Sequence, residues 1–257
     1  MLELNKIYLG DCLDLMPSIA DKSVSCILCD LPYGTTKNHW DSIIPLDKLW
    51  EQYKRIIKDD GAIVLFSQQP FTSMLVMSNP QMFKYEWIWE KDSGTGHLNS
   101  KFAPMKIHEN ICVFSKSAAS FVKDKSNAMV YNPQYRNGKP YKGKGGLLGK
   151  GNYDSKHERV VDTFNDGEHY YPIDIIKFKR DKEKLHPTAK PVDLLRYLIR
   201  TYTNEKSLVL DNCCGSGSTC VAAIREKRDF IGIELNEDYH KVACDRIARE
   251  KQKLTLF

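Results

Sequence analysis

The chain has 257 residues, 42% of them hydrophobic, and a net charge of +5, which suits one large α/β domain with an inserted lobe. No apolar run is long enough to span a membrane and the N-terminus has no signal-peptide pattern, so we expect a cytoplasmic protein. The eight cysteines lie mostly in apolar runs and indicate reduced core residues, and Cys26 and Cys29 would point to opposite faces of a strand, which argues against a metal site.

The first predicted strand is Lys6 to Leu9, and Gly10-Asp11-Cys12 follows it. Asp residues are favoured immediately before a helix because their carboxylate accepts hydrogen bonds from the first backbone N–H groups. We therefore expect Asp11 to cap a short helix from Leu13 to Ile19.

A buried strand is predicted from Val24 to Cys29, and it ends abruptly in Asp30-Leu31-Pro32-Tyr33-Gly34. In a doubly wound sheet, ligands bind at the carboxyl ends of the strands. The sequence places a carboxylate, backbone carbonyls outside any helix and an aromatic ring at such an end, which suits a flat heterocycle that carries an amino group. A strand followed by an ordinary turn would explain the same residues, since Asp, Pro and Gly are turn formers.

The next stretch continues the α/β pattern. A polar loop at 35–41 contains Trp40, which either closes over a ligand or packs the loop down, with packing favoured. The predicted elements that follow are helices at Pro45 to Lys58 and Phe71 to Met77, and strands at Gly61 to Ser67, Tyr85 to Lys91 and Asn110 to Ser115.

Two features of this stretch leave alternatives open. The segment from Ser93 to Lys106 is rich in glycine and polar residues, which indicates a mobile connection. His108 and Glu109 could form an acid/base pair, but neighbours on a strand face opposite ways, so a structural pairing is equally consistent.

The segment from Ser117 to Leu185 interrupts the α/β alternation. It carries 14 lysines and arginines against 9 acidic residues, which accounts for the whole net positive charge of the chain. Its middle part mixes basic and tyrosine side chains, which suits phosphate contacts and base stacking. We predict nucleic-acid contacts from Arg136, Lys139, Tyr141, Lys142 and Lys144, with a solvated loop as the alternative.

The C-terminal part returns to alternating helices and strands. A helix is predicted from Val192 to Thr203, strands at Leu208 to Asp211 and Phe230 to Leu235, and a last helix from Glu237 to Lys251. A glycine-rich turn follows the first of these strands, and glycine lets a backbone approach a ligand closely. Glu234 lies 19 positions after Gly215, a spacing typical of an acid that binds ribose hydroxyls.

Two motifs together give the chain a family resemblance. Asp30-Leu31-Pro32-Tyr33 resembles the Asp-Pro-Pro-Tyr catalytic element of S-adenosylmethionine-dependent DNA amino-methyltransferases, and the stretch from Asp211 to Thr219 resembles their cofactor element. The catalytic element comes first, as in the circularly permuted beta group. The fold implied is a seven-stranded, doubly wound Rossmann-like sheet with an inserted target-recognition region. Leu31 departs from the pattern, as do Asn212 and Cys213.

The resemblance, which runs from about Ile7 to Arg246, implies roles for individual residues. Residues 1–116 would form the catalytic half, 117–185 the target-recognition region and 186–257 the cofactor half. Lys190, in His-Pro-Thr-Ala-Lys-Pro, could pair with the carboxylate of the cofactor. The residues expected at catalysis are Asp30, Pro32 and Tyr33. Those expected at the cofactor are Asp11, Cys12, Asp30, Thr188, Lys190, Asp211, Cys213, Gly215, Ser216, Gly217, Glu234 and Leu235.

The chemistry expected is methyl transfer to an exocyclic amino group. Asp30 and a backbone carbonyl near Leu31 or Pro32 would accept the two amino hydrogens and localise the nitrogen lone pair. Tyr33 would offer a face to a base taken out of the duplex. The chain has no Pro-Cys dipeptide of the cytosine-C5 kind, which excludes that reaction. An acid at position 30 favours adenine N6 over cytosine N4, the alternative.

Other functions stay open from the sequence alone. RNA could replace double-stranded DNA as the substrate, and a homodimer and a cognate restriction endonuclease are open partners. A nicotinamide-dependent oxidoreductase also uses a strand, a glycine-rich turn and a later acid, but Cys220 stands where a third glycine is expected and Asp30 to Tyr33 would have no role. A catalytically silent nucleic-acid-binding module is the third alternative.

Overall fold

The computed structural model describes residues 2–34, 42–119, 128–143, 163–181 and 189–254. The loop at 35–41 with Trp40, Thr188 and Lys144 lie outside these residues. The chain divides into two compact units, one formed by Met1–Asn132 with Asp174–Phe257 and the other by Pro133–Ile173.

The larger unit alternates strands and helices along most of its length. The strands are β1 (Lys6–Leu9), β2 (Val24–Asp30), β3 (Ile57–Ser67), β4 (Phe83–Thr95), β5 (Lys106–Phe114), β8 (Ile175–Lys177), β9 (Leu208–Asp211) and β10 (Asp229–Glu234). The helices are α1 (Cys12–Leu15), α2 (Leu46–Ile56), α3 (Phe71–Ser78), α4 (Val192–Tyr202), α5 (Ser218–Arg225) and α6 (Glu237–Leu254).

These strands form one mixed sheet in the order β1-β10-β9-β2-β3-β5-β4-β8. The pairs from β1 to β3 are parallel, and β5 runs antiparallel to both β3 and β4. The predicted α/β class is confirmed, but the sheet contains eight strands where seven were predicted. The additional strand is β8, which pairs with β4 at the sheet edge and was hidden in a segment of polar composition.

The alternation of side chains along β2 builds a core on both faces of the sheet. Cys26 and Leu28 belong to the apolar cluster that includes α4 and α5, while Ile27 and Cys29 belong to the cluster that includes α2 and α3. The two cysteines therefore lie on opposite faces, as expected, and cannot share a ligand. Both faces of β2 are covered, and Asp30 at its carboxyl end is its only residue that is not fully buried.

Several predicted boundaries were wrong by a few residues. Helix α2 ends at Ile56, and Ile57 already belongs to β3. The segment predicted as a mobile connection is structured at both ends, since β4 continues to Thr95 and β5 begins at Lys106. The first helix ends at Leu15 and continues as a 3₁₀ turn over Met16–Ser18.

The smaller unit contains a two-stranded antiparallel sheet of β6 (Tyr141–Gly143) and β7 (Thr163–Asn165). Arg136 and Tyr170 exchange backbone hydrogen bonds within it. The functional division of the chain at residues 117 and 185 stays a prediction. None of the helices in the described part of the chain has the length and apolar character needed to cross a membrane.

Candidate active site

Asp30 is the last residue of β2, and its carboxylate has a donor on each oxygen. The Tyr33 hydroxyl donates to Oδ1 over 2.5 Å, and the Lys190 ammonium donates to Oδ2 over 2.5 Å. The ring of Tyr33 stacks on Phe71 with 5.3 Å between centroids, which fixes the direction of its hydroxyl. The carboxylate is thus held in one orientation at the carboxyl end of a central strand.

Lys190 also belongs to a chain of buried charges. Its Nζ lies 3.2 Å from Oε2 of Glu109, and the Nζ of Lys91 donates to Oε1 of Glu109 over 3.1 Å. The side chains of Lys190 and Glu109 are only 8% and 9% exposed. Two carboxylates and two ammonium groups alternate in the order Asp30, Lys190, Glu109, Lys91. The charges of these four side chains, the ion chain, therefore cancel. This alternation is what allows four ions to lie at the edge of the core, because a buried charge without a partner is strongly unfavourable.

The pKa values of the side chains in the ion chain follow from burial and from the neighbouring charges. Burial raises the pKa of Asp30 above its usual range, and the Lys190 ammonium opposes part of that effect. Burial also disfavours the Glu109 carboxylate, but Lys190 and Lys91 outweigh it and hold the pKa of Glu109 below its ordinary value. Burial lowers the pKa of Lys190, but the carboxylates of Asp30 and Glu109 outweigh burial and raise the pKa above its ordinary value.

The glycine-rich turn after β9 lies at the same end of the sheet. Gly215 and Gly217 both have positive φ angles, of 52° and 76°, which other residues adopt only with strain. A Cβ at position 217 would also lie 3.2 Å from the Cβ of Ala243 on α6, so a larger residue would crowd this helix as well as strain the backbone. The turn is therefore a constrained backbone loop that leads directly into α5.

Acidic side chains hold this turn from two sides. The Cys213 N–H donates to Asp211 over 3.2 Å, and the Gly215 N–H donates to Oε2 of Glu234 over 2.7 Å. The other oxygen of Glu234 accepts from the Asn236 N–H over 2.9 Å. Burial raises the pKa of Asp211 to about 6.

Asn212 stands where the family pattern has a proline, and its amide oxygen makes a contact with another layer of the fold. It accepts a 2.5 Å hydrogen bond from the Tyr53 hydroxyl on α2, and the bond is buried. The turn is thus attached to the helix layer on one face of the sheet by a polar contact that a proline could not make.

Asp11 caps α1 as expected, with its carboxylate accepting from the Leu13 N–H over 2.8 Å. The preceding Gly10 N–H donates to the backbone carbonyl of Glu234 over 2.9 Å, which brings the start of α1 beside the end of β10. One space is therefore surrounded by four strand ends, those of β1, β2, β9 and β10.

That space is a cavity of about 490 Å³. Most of the predicted catalytic and cofactor residues line it: Asp11, Cys12, Asp30, Pro32, Tyr33, Lys190, Asp211, Cys213, Gly215, Ser216, Glu234 and Leu235. Gly217 is set back against α6, and Thr188 lies outside the described residues. Lys91 lines the cavity as well, and no sequence motif indicated it.

The two open readings of His108 and Glu109 are resolved by their positions. Glu109 is buried and paired with Lys91 and Lys190, while His108 is exposed on the other side of β5. An acid/base pair between them is therefore wrong, and the structural pairing of Glu109 is the correct alternative.

The predicted nucleic-acid contacts within the smaller unit form local interactions there. The Nε of Arg136 donates to the Tyr171 carbonyl over 3.1 Å, and the Nζ of Lys142 lies 5.9 Å from the ring centroid of Phe164. The carbonyl of Lys139 accepts from the Tyr170 hydroxyl, and the Tyr141 and Tyr170 rings are 6.0 Å apart. Their assignment to nucleic-acid binding stays a prediction.

Comparison with known proteins assigns the family. A family model described as DNA methylase, of the N6 and N4 type, matches residues 24–245. The Type II methyltransferase M1.MboII of Moraxella bovis is 28% identical over 93% of this chain and 95% of its own length. The DNA adenine methyltransferase YhdJ of Escherichia coli is 26% identical over 95% of this chain and 83% of its own length.

A solved structure shares the fold. The complex of M1.HpyAVI with SAM superimposes with a TM-score of 0.61 and 22% identity, over 94% of this chain and 98% of that one. The matched family segment contains both the Asp30 strand end and the glycine-rich turn that meet at the cavity. The chain belongs to the N6/N4 family of DNA methylases, enzymes that take their methyl group from S-adenosylmethionine.

Proposed function

We propose that the chain methylates the N6 amino group of adenine at a specific sequence in double-stranded DNA. The observation that carries the proposal is the Asp30 carboxylate, oriented by Tyr33 and Lys190 where β2 ends at the cavity. Within the resemblance, an acid at this position favours adenine, since members that act on cytosine N4 more often carry serine there. The adenine specificity in the name of YhdJ supports the same choice.

The residues around the glycine-rich turn suit S-adenosylmethionine. When bound, this cofactor supplies an electrophilic methyl group on a sulfonium. The turn brings backbone close to the cavity, and Glu234 and Asp11 offer carboxylate oxygens beside it, as binding of ribose and of an adenine amino group requires. Asp211, Cys213, Ser216 and Leu235 would line the same pocket. The cavity of about 490 Å³ has room for a ligand of this class.

Asp30 activates the substrate amine by accepting one of its hydrogens. The lone pair of an exocyclic amine is delocalised into the ring, and a hydrogen bond to a fixed carboxylate favours the localised, nucleophilic form. The backbone carbonyl at Leu31 or Pro32 would accept the second hydrogen. Tyr33 has one face against Phe71, so we assign it to orienting Asp30 as well as to contact with the base.

We propose a role for Lys190 beside the one that the resemblance implies. Its ammonium contacts the two carboxylates of Asp30 and Glu109, both of which line the same cavity. We assign Lys190 to keeping Asp30 ionised and in place. Glu109, which also pairs with Lys91, holds the Lys190 ammonium from the other side. A contact between Lys190 and the cofactor carboxylate stays a prediction.

DNA contacts are proposed for the smaller unit. Arg136, Lys139, Tyr141 and Lys142 combine positive charge with aromatic rings in one compact unit, as phosphate and base contacts require. Lys144 belongs to the same proposal. A cognate restriction endonuclease is the expected partner, because M1.MboII is named as a Type II methyltransferase. A homodimer stays a prediction.

The test is the product formed from unmethylated DNA and S-adenosylmethionine. Digestion to nucleosides separates N6-methyladenine from N4-methylcytosine by mass and retention. We expect N6-methyladenine, and a loss of roughly 100-fold or more in rate for Asp30→Asn, which keeps the shape but removes the charge. Asp59→Asn, on the surface, is the matched control. N4-methylcytosine as the product would refute the adenine assignment and leave the family intact.

A further inference from the structure

The turn that joins β4 to β5 displays two large apolar side chains to solvent. Leu98 is 97% exposed and Phe102 is 89% exposed, well beyond the other large apolar side chains among the described residues. Met105 and Ile107 are also exposed, at 41% and 44%. Scattered exposed apolar side chains are ordinary, but clustered ones mark contact surfaces. Leu98 and Phe102 lie four residues apart on one turn, so the turn, residues 96–105, is a candidate contact surface.

The backbone of this turn holds the two side chains outward. The Asn99 N–H donates to the Gly96 carbonyl over 3.0 Å, and the N–H groups of Phe102 and Ala103 both donate to the Asn99 carbonyl over 2.9 Å. Gly96 has a φ angle of 95°, which starts the reversal of the chain. The apolar side chains therefore stand on a hydrogen-bonded turn and not on an irregular loop.

The turn begins at the rim of the active-site cavity. Trp89, Lys91 and Thr95 of β4 line the cavity, and Thr95 pairs with Lys106 at the base of the turn. Leu98 follows Thr95 by three residues, so the chain can separate them by no more than about 11 Å. The turn therefore begins within a few residues of the cavity that contains Asp30.

The charge of the turn suits a polyanion. From residue 93 to residue 108 the chain carries Lys101 and Lys106 and no acidic residue. The neighbouring Asp92 is paired with Arg180 over 2.9 Å, so its charge is compensated. A surface that is both apolar and positive suits a nucleic acid, because lysines can contact its phosphates while apolar side chains contact its bases.

DNA methylation at a base amine needs the base outside the helix, because the amine is otherwise paired within the duplex. Proteins that unstack DNA commonly insert Phe or Leu side chains between base steps. We propose that Leu98 and Phe102 enter the base stack of the DNA and occupy the space that the target base leaves when it turns into the cavity. This inference rests on the proposed action on duplex DNA.

The test compares two DNA substrates for the double variant Leu98→Ala with Phe102→Ala. Both carry the target sequence, first identified by sequencing the methylated positions in DNA from cells that express the protein. In one duplex the target base is paired, and in the other it faces an abasic site, where it is already unpaired. We expect the variant to methylate the paired duplex at least tenfold more slowly than the wild type. On the abasic duplex we expect the two rates to agree within about twofold.

Controls separate this inference from its alternatives. Met77→Ala, at a 72% exposed position on α3, should leave both rates unchanged. Equal slowing of the double variant on both duplexes, or wild-type rates on both, would overturn the inference. A further result would also overturn it: a wild type that sediments as a dimer and a double variant that sediments as a monomer, with the same relative rates on both duplexes. The turn would then be a contact between copies of the chain. A wild type that methylates neither duplex would instead refute the proposed function itself.

Discussion

Replacing Lys190 by methionine tests whether the buried ion chain controls the ionisation of Asp30. Methionine keeps most of the apolar stem and removes the ammonium, whose Nζ lies 5.1 Å from the centroid of the Phe66 ring. Asp30 is a strong acceptor for the substrate amine while it is ionised, because protonation removes its charge and turns one of its oxygens into a donor. The rate should therefore fall as the pH drops through the pKa of Asp30, which gives the profile an acidic limb.

The direction of the change follows from the charges. The Lys190 ammonium lowers the pKa of Asp30 against the effect of burial, so its removal raises that pKa and moves the acidic limb to higher pH. Two unit charges about 4 Å apart attract by about 4 kcal/mol at an effective dielectric of about 20, and the burial of Lys190 offsets part of this. A net effect of about 1.5–3 kcal/mol lowers the ionised fraction of Asp30 by roughly 10- to 100-fold on the acidic limb.

The substitution Glu109→Gln should act in the opposite direction. The Glu109 carboxylate raises the pKa of Asp30 by like-charge repulsion, so its removal moves the acidic limb to lower pH. The assay is the initial rate of methyl transfer against pH at saturating substrates, with thermal unfolding as a check on folding. Lys22→Met, in an exposed ion pair with Asp59, is the matched control and should leave the limb in place. If both cavity variants only lower the plateau, or shift the limb the same way, the ion chain does not set the ionisation of Asp30.

Three further predictions concern the cofactor turn and the smaller unit. Glu234→Ala should weaken S-adenosylmethionine binding by about 1.5–3 kcal/mol, since it frees the Gly215 N–H as well as any ribose contact, and unchanged affinity in calorimetry would contradict this. Tyr53→Phe should lower the free energy of unfolding by about 1–3 kcal/mol, because it leaves the buried oxygen of Asn212 without its donor; denaturant melts showing no loss would contradict it. Replacing Lys139 and Lys142 by alanine should make the plot of log DNA affinity against log salt less steep, by about one unit of slope per lost phosphate contact. The affinity for the cofactor should stay unchanged, and an identical slope would place the DNA contacts elsewhere.

The elements of the central sheet could be predicted from sequence because their signals are local. Val24 to Cys29 is apolar except for Ser25, and a strand covered on both faces is typically apolar along most of its length. β8 has only three residues in a polar, basic stretch, and only its pairing with β4 stabilises it as a strand. Such an edge strand has no periodic pattern of its own, so the eighth strand could not be predicted.

Sequence motifs likewise located the residues at the strand ends but not the contacts between them. Asp30, Asp211 and Glu234 each follow an apolar run, and the parallel order of β2, β9 and β10 brings those ends to one edge of the sheet. The partner of Asn212 could not be anticipated, since Tyr53 lies 159 positions away on another layer. Motif spacing carries no information about such a contact.

The ion chain shows where a further signal was present in the sequence. Trp87 and Trp89 both belong to one apolar cluster, so strand alternation puts Lys91 on the same buried face. The same alternation from Ile111 puts Glu109 on that face of β5. A lysine and a glutamate that each continue a buried face must find partners of opposite charge, because an unpaired buried ion is too unfavourable to persist. Alternation does not predict the register of β4 and β5, which sets Glu109 opposite Trp89 and so beside Lys91. It also does not predict that Lys190, just before α4, lies on the same face. With Lys91 already paired to Glu109, the Lys190 ammonium requires a second carboxylate, and the structure supplies it as the acid that ends β2.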